Sequence, residues 1–316
     1  MTRHRVLFHV QHLLGIGHLR RVALLARACA ARGLEVVVAS GGPPVGGLDL
    51  GAARLVQLPP MRSADESFHT LVDENDRPVG AAFEARRRGR LLDLLARLRP
   101  RALVIEMFPF GRRRLRFELL PLLEAARDTR PRPWIACSVR DVLTARTPER
   151  RAEAVAWAQR HFDAVLVHGD PAAIPLAASL PEAATIADRI AYTGYVAGPP
   201  GRRARPGGPG WNEVVVSAGG GAVGEALLRT ALEARKTSGT LARLDWRLLA
   251  GGNLAGDAFA ELAAAAPAGV AVERARDDFP DLLSNCAVSL SQGGYNTLVE
   301  VVQARARAVV VPFARG

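Results

Sequence analysis

Three stretches of the chain join glycines to a side chain that can do chemistry. The first is Gly15-Ile16-Gly17-His18-Leu19-Arg20-Arg21. Its glycines let a ligand approach the backbone, and a helix starting behind them offers free N–H groups and a positive dipole end to an anion. His18 stands at the helix start, where an imidazole can act as a general base or cap the helix. Arg20 occupies the third glycine's place in a G-x-G-x-x-G fingerprint, which disfavours dinucleotide binding. The second stretch, Ser217-Ala218-Gly219-Gly220-Gly221-Ala222, follows the apolar run Val214–Val216. Small residues before a helix suit phosphate oxygens, and equally suit a plain tight turn. The third is Ser291-Gln292-Gly293-Gly294-Tyr295-Asn296-Thr297-Leu298-Val299-Glu300. Glu300 falls about one and a half turns into the predicted helix, where its carboxylate can accept bonds from two neighbouring sugar hydroxyls. Outside such a motif it would be an ordinary surface carboxylate.

Charged residues closing predicted strands add candidates, because ligands of open parallel sheets bind at the strands' carboxyl ends. Glu106 is placed to orient His18, to bind acceptor hydroxyls or to be the base itself. Asp141, beside Arg140, is an alternative base. Both carboxylates can instead form structural ion pairs with Arg112, Arg113 or Arg140. His168-Gly169-Asp170 is a weaker candidate. Cys29, Cys137 and Cys286 are scattered, odd in number and in apolar contexts, so they predict core positions rather than a disulfide framework or a metal site.

These residues need elements to hold them. Strands are predicted over 5–11, 34–39, 54–58, 102–106, 134–138, 164–168 and 190–192, with helices over 19–32, 83–99, 116–127 and 148–160. Residues 63–78 read as a polar loop. A Pro/Gly/Arg segment, 197–211, is the clearest linker. The alternation then restarts, with strands over 213–217, 246–250, 270–274, 288–291 and 308–312 and helices over 223–235, 255–266, 279–286 and 295–304. The expected class is α/β: two Rossmann-like domains, 1–196 and 212–316, facing a cleft. A parallel strand at the end of the chain normally precedes a covering helix, so the second domain reads as incomplete.

Composition narrows the partners. Hydrophobic residues make up 49% and charged residues 23%, enough for real cores, while aromatics at 5% disfavour a single-stranded nucleic-acid platform. The net charge of +11 is carried almost wholly by arginine, Lys236 being the single lysine, which fits a compositional bias more than a polyanion site. Arg86–Arg88 and Arg112–Arg116, interleaved with Leu and Phe, read as solvated faces or as a patch for peripheral membrane contact. No leader-like or membrane-spanning run is visible, so a cytoplasmic protein is expected, with no nucleic-acid partner.

Taken together, the His-bearing turn, the linker, the Ser-Gly-Gly turn and Ser-x-Gly-Gly-x-x-Thr-x-x-Glu resemble the bacterial GT-B glycosyltransferases related to the peptidoglycan N-acetylglucosaminyltransferase. Gln11–Arg21, Glu106–Arg112 and Ser138–Asp141 are most similar to an uncharacterised "predicted glycosyltransferase" family within that group. The resemblance covers the whole chain. It implies that His18 is the general base, with Gly15, Gly17 and Arg20 on the acceptor and phosphate side, to which the strand-end rule adds Arg140 there and Glu106 or Asp141 as alternative bases. It implies that Ser217, Gly219, Gly220, Gly293, Gly294, Asn296 and Thr297 hold the donor, that Glu300 holds its ribose, and that the nucleobase lies near Ala275–Phe279. The substrate would be a nucleotide-diphosphate sugar, with UDP the commonest donor group in the family. Transfer would be inverting and metal-independent, with no cofactor, to an unknown hydroxyl acceptor that is lipid-linked or small. The polar segment and closing helix that follow the last strand in this family are not matched. Nucleotide-sugar hydrolysis on the same fold, 2-epimerisation, and non-catalytic nucleotide-sugar or polyanion binding stay open as alternatives.

Overall fold

The computed structural model describes residues 4–64, 70–219, 224–252 and 254–312. The chain divides into two compact units, residues 1–14 with 18–196, and residues 15–17 with 197–316.

In the first unit the order is β1 (Arg5–Val10), α1 (Gly17–Ala31), β2 (Glu35–Ser40), β3 (Arg54–Gln57), β4 (Met61–Ser63), β5 (Leu71–Asp73), α2 (Ala81–Leu98), β6 (Ala102–Glu106), α3 (Arg116–Asp128), β7 (Trp134–Arg140), α4 (Pro148–His161), β8 (Ala164–His168) and β9 (Ile190–Tyr192). Seven strands form one parallel sheet in the order β3-β2-β1-β6-β7-β8-β9. A parallel sheet is covered on both faces, so its strands are apolar throughout rather than alternating. β1 shows why: Leu7 joins one core with Leu91 and Leu119, while Val6, Phe8 and Val10 join another with Leu19 and Val22 of α1. The segment expected to be a loop, 63–78, carries half of a small antiparallel ribbon, β4 paired with β5. The buried pair Leu71 and Val72 supplies the reason, since two apolar residues in a polar stretch gain by packing inward. Between β8 and β9 the chain forms 3-10 turns at Leu176–Ala178 and Pro181–Arg189 instead of a long helix.

The second unit runs β10 (Val214–Ser217), α5 (Glu225–Thr237), β11 (Trp246–Ala250), α6 (Gly256–Ala264), β12 (Val270–Arg274), α7 (Phe279–Asn285), β13 (Val288–Gln292), α8 (Tyr295–Ala304) and β14 (Ala308–Val311). Its parallel sheet has the order β12-β11-β10-β13-β14. The Pro/Gly/Arg segment has no strand or helix and is tied to α7. The Arg202 N–H donates to Asp281 and the Ala204 N–H to Asn285, at 2.7 and 2.8 Å.

Each sheet has one point where strand order reverses: between β1 and β6 in the first, and between β10 and β13 in the second. Connections leave in opposite directions there and open a crevice at the carboxyl ends.

The arginine groups do not form one basic face. Arg87 is fully buried, donating to both oxygens of buried Glu118 at 2.6 and 3.0 Å, to Gln11 Oε1 and to the carbonyls of Gly41 and Pro59. Arg113 is paired with Glu153 and Arg112 donates to the Gln11 carbonyl. The reading of these groups as solvated faces or a membrane patch is corrected at Arg87, one of the three arginines at 86–88, and at Arg112, which serve internal contacts, while Arg86, Arg114 and Arg116 are exposed.

Candidate functional site

The first crevice collects His18 from α1 and Glu106 from the end of β6. His18 Nδ1 lies 2.9 Å from Glu106 Oε1. Arg21, one helical turn after His18, is also buried and pairs with the same carboxylate oxygen. The other oxygen, Oε2, accepts the Ser138 hydroxyl at 2.6 Å, an arrangement set by β6 and β7 pairing Glu106 with Ser138 in register. Ser138 Oγ is 2.9 Å from His168 Nε2, and His168 Nδ1 is 2.7 Å from Thr193 Oγ1.

Proton positions in this chain follow from its end. Glu106 is nearly inaccessible, yet Arg21, His18 and Ser138 overcome the cost of burial and hold its pKa down at about 2, so it is an ionised acceptor. His18 Nδ1 must therefore carry the proton, which leaves Nε2 with a free lone pair. Ser138 donates to Glu106, so it accepts from His168 Nε2–H, and His168 Nδ1 accepts from Thr193. Burial, with a smaller contribution from Arg112, lowers the His18 pKa to about 3, and burial lowers that of His168 to about 4. Both rings are neutral at neutral pH. The His18 side chain keeps 21% exposure, so a substrate can reach it.

The carboxylates expected in ion pairs take different partners. Glu106 pairs with Arg21, not with Arg112, Arg113 or Arg140. Arg21 is occupied by that pair, while Arg20 is exposed. Glu106 is nearly enclosed, with its two oxygens engaged by Arg21, His18 and Ser138. Asp141 is buried beside the site, accepts the Val142 N–H at 2.9 Å and bonds the Tyr195 hydroxyl. Arg140 reaches Thr144 Oγ1 at 3.3 Å. The connection after Arg140 and Asp141 also lines a hollow of about 380 Å³ with Leu143, Ala145, Arg146 and Ala178.

The second crevice is built from β10 and β13, whose register sets Ser217 beside Ser291. Ser217 Oγ accepts the Gly219 N–H at 3.3 Å, and Gly219 has a φ of +74°. Gly220 lies outside the described residues. Gly224, which caps α5 with φ +137°, has no room for a side chain: a Cβ would come within 2.3 Å of the Ala218 Cβ. Gly293 donates to the Val311 carbonyl at 2.8 Å, and Gly294 caps α8 in extended conformation with open space where a side chain would be. Asn296, Thr297 and Glu300 follow on α8, each half-buried. The turns after β10 and β13 are thus neighbours, each leading into a helix N-terminus. At the segment expected to face a nucleobase, Arg276 bridges Glu273 and Asp278 at 2.8 and 2.7 Å. Cys137 is buried, and burial pushes its thiol pKa well up. Among the described residues no group of three or more His, Cys, Asp or Glu is placed to hold a metal ion. None of the described helices is long and apolar enough to cross a membrane.

Sequence reasoning named His18 and Glu106 and ranked His168 low. It used Ser138 only as part of a matching stretch and omitted Thr193. A polar residue inside an apolar strand, such as Ser138 in Ile135–Val139, is the signal that points to such a partner.

No protein-family profile matches the chain, and no curated protein sequence matches it. Solved structures do. CalG4, the calicheamicin glycosyltransferase, is 17% identical, with 98% of this chain and 80% of that one covered at a TM-score of 0.59. MurG from Acinetobacter baumannii is 18% identical, with 99% and 78% covered and a TM-score of 0.53. A UDP-glucosyltransferase from Polygonum tinctorium, in complex with 3,4-dichloroaniline, is 15% identical, with 99% and 80% covered and a TM-score of 0.60. The fold is that of the GT-B glycosyltransferases, two Rossmann-like units each with its own parallel sheet. Its two switch-point crevices hold most of the residues singled out from the sequence.

Proposed function

We propose that the protein is a glycosyltransferase that moves a sugar from a nucleoside-diphosphate donor, UDP in the first instance, to a hydroxyl acceptor. The observation that carries this reading is the His18–Glu106 pair in the first crevice, with Nδ1–H directed at an ionised carboxylate and Nε2 free. A general base needs that tautomer.

The second unit holds the donor. Backbone N–H groups of the turn after Ser217 and of the α8 N-terminus bind its diphosphate, and Glu300 accepts the ribose hydroxyls. His18 Nε2 takes the proton of the acceptor hydroxyl as its oxygen attacks the anomeric carbon. The bond from that carbon to the diphosphate oxygen breaks, and the nucleoside diphosphate leaves with the electron pair. One displacement from the opposite face inverts the anomeric centre. Glu106 stabilises the imidazolium as it forms. Helix ends and arginines supply the positive field for the leaving group, so the scheme needs no metal. The likeness of the fold to those of CalG4, MurG and the UDP-glucosyltransferase supports transfer over a purely binding role.

The test is isothermal titration with UDP and other nucleoside diphosphates, followed by turnover of the matching sugar donors with and without hydroxyl acceptors. Saturable binding weakened by Glu300→Ala, with turnover abolished by His18→Ala at unchanged donor affinity, is the expected result. Equal loss of binding and turnover in His18→Ala would end the base assignment. Nucleotide release at full rate without any acceptor would make the enzyme a hydrolase.

A further inference from the structure

The surroundings of His18 hold more positive charge than the site uses. Three guanidiniums, Arg21, Arg112 and Arg140, stand near two carboxylates, Glu106 and Asp141, with both imidazoles neutral. Arg21 is committed to Glu106. Arg112 and Arg140 have no carboxylate in salt-bridge range among the described residues. Arg112 spends its Nε on the Gln11 carbonyl at 2.8 Å, which aims the guanidinium rather than neutralising it. It sits in the left-handed region at φ +57°, at the mouth of the 3-10 turn that precedes α3. Arg140 ends β7, paired in register with His168, and makes one long bond to Thr144. Its Nε is buried without a hydrogen-bond partner. Asp141, beside it, is engaged with the Val142 N–H and Tyr195.

The charge of Arg140 acts on Arg112, and that of Arg21 acts on both. Burial comes first and neighbouring Arg140, Arg21 and Arg146 add to it, bringing Arg112 down to about 10. Arg140 is lowered by burial and then by Arg21. Like charges held together, partly desolvated and with an unfilled donor, are stabilised by an incoming oxyanion.

We infer that Arg112 and Arg140 form an oxyanion subsite on the first unit, beside His18, that takes a phosphate or carboxylate group of the acceptor. This rests on the transferase reading and names its acceptor class: a molecule with an acidic group close to the hydroxyl that is glycosylated. The same oxyanion chemistry is carried by the donor's diphosphate, and the experiment separates the two sources.

The probe is inorganic phosphate, titrated into the full chain while the His18 imidazole resonances are followed by NMR, first alone and then with the protein saturated by UDP. Saturable phosphate binding that persists in the presence of UDP is expected. Arg140→Gln and Arg112→Gln should each weaken it about tenfold or more, the worth of a charge-assisted hydrogen bond. Arg140→Lys keeps the charge and the fold and should recover part of the loss. Arg113→Gln, which removes an equal charge from the Glu153 pair, should leave binding unchanged. Displacement of phosphate by UDP would assign the arginines to the donor and overturn the acceptor subsite. Absence of binding, or equal weakening by Arg113→Gln, would overturn it as well. UDP affinity and its loss in Glu300→Ala are read in the same samples. Normal UDP binding without phosphate binding therefore fails the subsite alone, and the reverse pattern fails the transferase reading.

Discussion

Replacing Glu106 by Gln keeps the shape of the first crevice and removes the carboxylate that faces His18. In the wild type the imidazolium formed during turnover has a carboxylate 2.9 Å from Nδ1 and the Arg21 guanidinium 3.2 Å away. Two unit charges about 3 Å apart at an effective dielectric of about 20 interact by about 5 kcal/mol. The carboxylate and Arg21 roughly offset one another, so Glu106→Gln exposes the imidazolium to Arg21 alone. A barrier raised by about 5 kcal/mol is a roughly 10⁴-fold slower step. The glutamine NH2 can also donate to Nδ1, which moves the ring proton to Nε2 and removes the base. Stability falls too, because Arg21 is left charged and buried, a loss of about 3–5 kcal/mol. Urea melts give the second effect, and turnover well below the melting point gives the first. Adding Arg21→Met should restore most of the stability and only part of the rate. A Glu106→Gln enzyme within tenfold of wild-type kcat/KM would refute the dyad.

Acid should act through the two neutral histidines. Their folded pKa values, about 3 for His18 and about 4 for His168, lie below the ordinary 6.5, so the unfolded chain binds more protons between those limits. The stability that they contribute is present above pH 6.5 and is lost as pH falls, by up to about 1.4 kcal/mol per pH unit for each ring. Urea melts from pH 7 to 4.5 should show this slope, smaller in His168→Gln, while kcat/KM shows no inflection near 6.5. Glu118→Gln leaves Arg87 buried and unpaired, and should lower unfolding free energy by about 3–5 kcal/mol with little change in UDP affinity. Gly224→Ala combines a φ of +137° with a clash on Ala218 and should weaken UDP binding more than it lowers the melting temperature. Unchanged UDP affinity would separate that turn from the donor.

Much of the architecture was legible because parallel strands buried on both faces write continuous apolar runs. The strands at 102–106, 164–168, 246–250 and 270–274 and the helix at 295–304 fall where the pattern puts them. The ribbon at Met61–Ser63 and Leu71–Asp73 did not, since its pairing joins short segments across a polar stretch and leaves no periodicity. Arg87 escaped for a different reason. An arginine inside a helix looks solvated until α3 brings Glu118 against it, and that partner is 31 residues away in sequence. The site followed the same division. His18 and Glu106 were visible from the strand-end rule, but their mutual bond, the occupation of Arg21 and the link through Ser138 depend on which strands are neighbours. That order, β1-β6-β7-β8, is a property of the sheet.

The hydrogen bonds from Thr193 to Glu106 all point one way, and a single acceptor-only group dictates that sense. Three dipoles on three separate segments are therefore aligned like compass needles by one charge. His168 yields before that charge does: near pH 4 its ring takes a second proton and donates from both nitrogens, so the Thr193 hydroxyl must turn to accept while Glu106 is still ionised. The base and a residue three strands away thus share one memory of orientation. At neutral pH the ¹⁵N shifts of His168 in a Glu106→Gln protein would report the loss of a carboxylate the ring never touches.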